Sequence, residues 1–229
     1  MAADALLVGM TSQGASPIVS VAGTTSASGS SFLAVVVFDS GSTLTGVADS
    51  KSNAYSQIGS TIAGGGVSIA LYKSENGTGG ASHTCTATFT GTPSGTVYFI
   101  ELTGCSATPT DTGSFASVAD TTDPYTVTTG TFAQANNIVI AVGGSSSGTN
   151  PNNWTPNTGT LVSSEVNGSL FWTSGVSKQY ITATTAITPS FSALSGQVIV
   201  AVGFKEASAG GSPATYQPLQ YQRKTLYFI

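Results

Sequence analysis

This sequence predicts an all-β fold, an antiparallel β-sandwich of jelly-roll-like kind built from two four-strand pseudo-repeats. Three observations carry that reading. Runs rich in β-branched and aromatic residues recur along the chain, each bounded by Gly, Pro, Asn or Ser clusters. No apolar i, i+3, i+4, i+7 spacing holds over about twelve residues without a Gly or Pro break. The order of runs in one half is also echoed in the other.

Taken in order, Leu6 to Met10 and Pro17 to Val21 are short candidate strands. SFLAVVVF (Ser31 to Phe38), VSIALY (Val67 to Tyr72), HTCTATFT (His83 to Thr90) and TVYFIEL (Thr96 to Leu102) form the first repeat. Tyr125 to Thr131 is a further short strand. NIVIAVG (Asn137 to Gly143), SLFWTS (Ser169 to Ser174), YITATTAI (Tyr180 to Ile187) and QVIVAVGF (Gln197 to Phe204) form the second, offset by about 100 residues. Period-2 alternation puts His83, Cys85, Ala87 and Phe89 on one face and four threonines on the other, so that strand has a core side and a wet side. LAVVVF and VIVAVGF are apolar on both faces, which predicts central strands covered on each side or meeting a neighbouring subunit.

A four-strand sheet with one apolar face cannot stand alone, so the two copies are expected to pack face to face or to exchange strands. The expected organisation is one sandwich domain over 1–206, with pseudo-repeats at about 31–104 and 137–206, then a linker and docking arm over 207–229. The alternative is two small sandwiches joined around Ala107 to Pro124. Against it, neither half shows the seven or so strands of an independent immunoglobulin-like sandwich.

Only 7% of the 229 residues are charged and the formal net charge is −4, so hydroxyls and amides must supply the polar surface. The six basic residues are scattered except for the Arg223–Lys224 pair, which leaves no electrostatic footprint for nucleic acid. The apolar run from Ala5 to Met10 lacks a basic flank and is too short for a signal peptide or membrane span, so no membrane partner is expected and synthesis in the cytoplasm is. Cys85 and Cys105 read as buried free thiols. The sequons at Asn76, Asn153 and Asn167 are chance products of composition.

Candidate chemistry is sparse. Any Ser-His-Asp or Cys-His arrangement would have to be built on His83, the single histidine, which reads as packed against the core. GSSSG (Gly144 to Gly148) matches the nucleophile-elbow pattern around Ser146, but the loop TNPNNWTPN follows it where a helix is required. AGGGV (Ala63 to Val67) is a turn before a strand, without the Lys and helix of a phosphate cradle. Asp49 and Asn53 in DSKSN fit an Asx-turn better than a calcium loop. One His and two distant Cys give no metal cluster, no cofactor is implied, and nothing selects a catalytic pair from Glu101, Glu165, Asp120 and Asp123. Trp172 reads as core, while Trp154, beside Asn153 and Pro156 in a long loop, is the exposed aromatic that could stack on a sugar.

The run VADSKSNAYSQIG (Val47 to Gly59) resembles the "D-S-x-G-N-x-Y" turn of β-sandwich proteins from tailed bacteriophages and their prophages. In that pattern an aromatic strand follows, then "G-G-A-x-x-x-T-V-T-F-S-G", then a hydrophobic strand ending "E-x-S-G". The corresponding pieces here are DSKSNAY (Asp49 to Tyr55), VSIALYKS (Val67 to Ser74), GGASHTCTATFTG (Gly79 to Gly91) and VYFIELTG (Val97 to Gly104), in the same order across roughly 60 residues. Ser52 stands where the pattern usually has Gly, and Ala54 follows Asn53, which leaves the turn type open. The resemblance implies a capsid-decoration, head-fibre or tail-associated structural protein and brings no catalytic residues with it.

The C-terminal stretch adds a second expectation. ASAGGSP (Ala207 to Pro213) has the composition of a flexible linker, and beyond it come Tyr216, Tyr221, Arg223, Lys224, Leu226, Tyr227, Phe228 and Ile229. Aromatics and Arg dominate interface energetics, and TLYFI left in water would be aggregation-prone, so these eight residues are expected to dock on a partner, the alternative being that Thr225 to Ile229 add an edge strand to their own domain. The expected function is that of a virion structural protein, not an enzyme. It would decorate or cement the capsid, or attach at neck or tail, through contacts with other virion proteins and with copies of itself. The alternative is a glycan- or receptor-binding module of a phage fibre, touching host-surface glycan through Trp154.

Overall fold

The computed structural model describes residues 2–119, 122–146, 155–167, 172–192 and 198–208. Among them the chain forms strands and no helix, as the run pattern predicts. The first half contributes β1 (Asp4–Gln13), β2 (Ile18–Val19), β3 (Ser28–Asp39), β4 (Thr43–Asp49), β5 (Ser56–Gly64), β6 (Val67–Thr78), β7 (Cys85–Thr90) and β8 (Gly95–Thr103). The second contributes β9 (Cys105–Val118), β10 (Tyr125–Thr126), β11 (Asn137–Ser145), β12 (Thr155–Pro156), β13 (Thr160–Asn167), β14 (Trp172–Ile181), β15 (Ser190–Ser192) and β16 (Val198–Glu206).

These strands make two five-stranded sheets, β1-β8-β3-β6-β5 and β9-β16-β11-β14-β13, and two three-stranded sheets, β2-β7-β4 and β10-β15-β12. Adding eight to each strand number of the first half reproduces the second half. The duplication seen in sequence is therefore a duplication of topology, and the four runs recognised in the first half and three of the four in the second belong to an eight-strand unit. In the first half β1 pairs with β8, β2 with β7 and β3 with β6, the nested pairings of a rolled hairpin. A complete jelly roll would add β4 to β5. Here β5 pairs with β6, leaving the outer edge of β4 unpaired among the described residues.

The architecture has four layers. The two five-stranded sheets pack face to face, as the two four-strand copies were expected to, around Leu33, Val35, Val37, Ile69, Leu71, Tyr98 and Ile100 from one half and Ile138, Ile140, Val142, Val176, Val200, Val202 and Phe204 from the other. On its other face the first sheet carries β2-β7-β4 over Phe32, Ala34, Val36, Phe38, Cys85, Ala87, Phe89 and Phe99. The second carries β10-β15-β12 over Tyr125, Phe132, Val139, Ala141, Phe191 and Ile199. Phe32–Phe38 and Val198–Phe204 are thus apolar on both faces because both faces are covered, one by the other half and one by a small sheet. β1 lies against β13 and β5 against β9, so each half offers the same patch to the other, the pattern of an isologous dimer joined in one chain.

Three expectations change. Each half holds eight strands, so the objection to two sandwiches, that neither half has enough strands, does not hold. Most of the missed strands are edges in which Gly, Ser, Ala or Pro interrupts the apolar alternation that marks a strand. The stretch around 107–124 is not the junction, because Cys105–Val118 is the edge strand β9; an edge position tolerates Pro109, whose missing N–H costs no ladder bond. Tyr180–Ile187 is not one strand: β14 ends at Ile181, and the counterpart of β7 is β15. Residues after Ile181 bond irregularly to the segment before β11, with Phe132 N–H donating to the Thr184 carbonyl at 2.8 Å and Thr129 N–H to Ile187 at 2.9 Å.

Candidate functional site

β4 runs into a turn that closes on its own last residue. The Asp49 carboxylate accepts five hydrogen bonds: Oδ1 from the Lys51 and Asn53 N–H groups, both at 3.0 Å, and Oδ2 from Asn53 Nδ2 at 2.7 Å, Tyr55 Oη at 3.0 Å and His83 Nε2 at 3.0 Å. Asn53 then ties the turn to the end of β6, donating to the Thr78 carbonyl and accepting from the Thr78 N–H, each at 2.8 Å. The Asx-turn expected from DSKSN is present, and the motif residues Asp49, Asn53 and Tyr55 are its members. Ser52, which replaces the usual Gly, has φ 62, a left-handed conformation.

His83 precedes β7 and bridges to Gly23. Its ring is fully buried between Phe32 and Phe99, edge-on to each with centroids 4.7 Å away. Its Nδ1 lies 2.9 Å from the Thr25 hydroxyl, which also accepts the Gly80 N–H at 2.9 Å. Both ring nitrogens are thereby bonded, Nε2 to Asp49 and Nδ1 to Thr25, and the Thr25 hydroxyl also lies 3.4 Å from the Gly80 carbonyl. Thr25, His83 and Asp49 are the three residue types of a nucleophilic triad. Here the Asp49 and His83 side chains are both 0% exposed and the Thr25 hydroxyl is bonded to the ring and to the Gly80 backbone, so the three groups face one another and not a cleft. The arrangement is a clasp joining the strand β4, the β4–β5 turn, β7 and the segment before β3.

Burial alone would raise the Asp49 carboxyl, but the bonds donated by Asn53, His83 and Lys51 outweigh it and hold its pKa below the usual value. Burial, reinforced by the Cys85 and Asp49 charges, pushes the Tyr55 phenol far above its ordinary value, so it remains a donor. Burial first, and then Asp49, pushes the Cys85 thiol up to about 12; burial, Glu206 and Asp4 do the same for Cys105. Both cysteines are free.

The other motifs are placed by packing. Ser146 of GSSSG donates its hydroxyl to the Gly65 carbonyl of AGGGV at 2.7 Å, so a loop of the second half sits on the β5–β6 turn of the first. That turn is at the Asp39↔Val67 end of the β3–β6 ladder, while His83 packs near Phe32↔Ser74, seven residues or roughly 23 Å along the strand. Glu101 is buried and accepts from Ser26 N–H at 2.9 Å and the Ser30 hydroxyl at 2.6 Å, a structural role. Trp172 takes a strand position in β14. Asp120, Trp154 and the eight docking residues from Tyr216 to Ile229 lie outside the described residues. Among the described residues no group of three or more His, Cys, Asp or Glu could hold a metal ion.

Sequence reasoning did not find a cleft beside β4. Where the β4–β5 pairing is missing, Phe38, Ser42, Thr43, Leu44, Thr61 and Ser68 line an open cavity of about 220 Å³, two apolar residues and four that carry hydroxyls. No single residue signals it, because it arises from β5 leaving the small sheet.

Comparison of the chain with family models, curated proteins and solved structures finds no match.

Proposed function

We propose that the chain is a structural protein of a tailed-bacteriophage virion, decorating or cementing the capsid or attached at neck or tail, and working by contact with other virion proteins and copies of itself. The observation that carries this reading is the turn at Asp49. Of the four residues shared with the phage pattern, Asp49, Ser50, Asn53 and Tyr55, three converge on one carboxylate that fixes how β4 leads into β5, while Ser50 bonds Ser82 and Thr84 beside β7. The likeness therefore rests on a feature that builds the fold. The triad-like residues are spent on the same clasp, which favours a structural over an enzymatic role. The test is co-sedimentation with emptied particles, comparing the full chain with one ending at Ser208. Binding by the full chain and loss of binding by the shortened one support an anchor in 209–229. Absence of binding by either sinks the virion reading.

The cleft beside β4 favours a second reading, a module that binds a neutral glycan, since an uncharged lining of hydroxyl-bearing and apolar residues suits a sugar ring. Titration with host polysaccharide, followed by the NMR shifts of Thr61 and Ser68, tests it. Unmoved signals across a broad panel of glycans rule it out.

A further inference from the structure

The two halves meet over the largest apolar cluster of the molecule, yet only one residue of chain joins them. β8 ends at Thr103 in the first five-stranded sheet, and β9 begins at Cys105 in the second. Gly104 between them has φ 65, the left-handed region that a Cβ makes costly. Its carbonyl accepts the Ala207 N–H at 2.9 Å, which holds the closed junction. No other peptide connection crosses from one half to the other.

We propose that the full chain exchanges halves with a second copy, forming a swapped dimer in which the first half of each protomer packs on the second half of its partner. A swapped dimer keeps the contacts between the two five-stranded sheets, because the same two sheets meet through the same side chains. Tyr98 Oη still lies 2.7 Å from a Ser174 hydroxyl, Glu75 still accepts the Thr110 N–H at 3.2 Å and Lys178 still contacts Asp4. Only Gly104 changes conformation, from left-handed to extended. The balance between monomer and dimer is then set by concentration and by this hinge, since a one-residue connection has no slack and short hinges invite exchange. The occupant is another copy of this chain because it carries the exact complement of each exposed sheet. The inference does not depend on the virion reading.

The hinge gives a handle on the equilibrium. Val at position 104 disfavours the left-handed conformation, and each dimer relieves two such hinges, so Gly104→Val is expected to tighten dimerisation on the order of a hundredfold. Gly104→Asn, which tolerates that conformation, should behave like the native chain. Protein refolded at a series of concentrations is separated by size, and its mass is read by light scattering against the 22.8 kDa chain. Each fraction is then treated with a carbodiimide, which couples the contacting Lys178 amine and Asp4 carboxylate directly.

The expected result has three parts. Gly104→Val gives far more dimer than Gly104→Asn. The dimer persists on dilution until urea opens the halves. Carbodiimide turns it into a covalent two-chain species on denaturing gels. Three results would overturn the proposal: equal dimer yields from the two variants, a dimer that dissociates on dilution, or coupling that stays within single chains. If Gly104→Val does not fold, native protein refolded at rising concentration still decides, because a dimer fraction without interchain coupling excludes exchange.

Discussion

Replacing Asp49 with Ala removes the acceptor for five donors at once. The Lys51 and Asn53 N–H groups lie on a turn that water can reach. His83 Nε2 belongs to a ring with no exposure, and Tyr55 Oη is partly buried, so these two are left orphaned. An unsatisfied buried donor costs about 1–3 kcal/mol, which brackets the loss at roughly 2–6 kcal/mol. The middle of that range, about 4 kcal/mol, is the expected value. Asp49→Asn keeps one acceptor oxygen and should cost about half as much. The assay is urea unfolding followed by far-UV circular dichroism, run as a double-mutant cycle with His83→Phe. Phenylalanine fills the box between Phe32 and Phe99 but cannot donate to Asp49. Residues in one hydrogen-bond network show coupling of about 0.5–3 kcal/mol. A loss below about 1 kcal/mol for Asp49→Ala, or a coupling indistinguishable from zero, refutes the clasp.

The remaining predictions rest on other parts of the fold. Gly59 has φ 61, and a Cβ there would come within 2.3–2.7 Å of the Phe115 ring of β9, so Gly59→Ala is expected to cost about 2–4 kcal/mol and lower Tm by roughly 4–16 °C in a calorimetric scan. Cys85 and Cys105, both pushed up to about 12, should resist iodoacetamide at pH 8 in the native protein and react stoichiometrically in urea, as read by mass spectrometry. The Asp49 carboxyl titrates below its ordinary 3.8 and the Glu75 carboxyl, bonded to Lys73 and Thr110, below its ordinary 4.5. For a lowered carboxyl the added stability is present above the ordinary value and lost as pH falls through the folded one. Urea midpoints should therefore hold from neutral pH down to about 5 and decline below about 4, and Asp49→Asn should flatten that decline.

Much of the inner fold was legible because burial on both faces leaves a mark that needs no tertiary knowledge. Ser31–Phe38 and Val198–Phe204 read as covered central strands and are. His83, Cys85, Ala87 and Phe89 read as one core face and are buried, while Thr88 and Thr90 are exposed. The Asx-turn at Asp49 was legible because its donors are local in sequence. What escaped was the rim: β4, β5 and β9 are edge strands in which Gly, Ser, Ala or Pro interrupts the apolar alternation, and β15 takes three residues where an eight-residue run stood ready. His83 was legible as packed, but its partners Thr25 and Asp49, 58 and 34 residues away, were not, because no local pattern encodes a contact across sheets.

By itself, then, the sequence determined an all-β chain, an internal duplication, free cysteines and a turn centred on Asp49, since each follows from residue type and short-range spacing. Only the tertiary structure decided that each half is an eight-strand unit, that β5 leaves the small sheet and opens a cleft beside β4, that GSSSG and AGGGV meet as ordinary loop contacts, and that a single glycine links two halves packed like a dimer. The physical reason is common to all four. Edge pairing and face-to-face packing are chosen by which apolar surfaces remain to be covered once the inner strands have formed, and that remainder is a property of the assembled sheets and not of any stretch of chain.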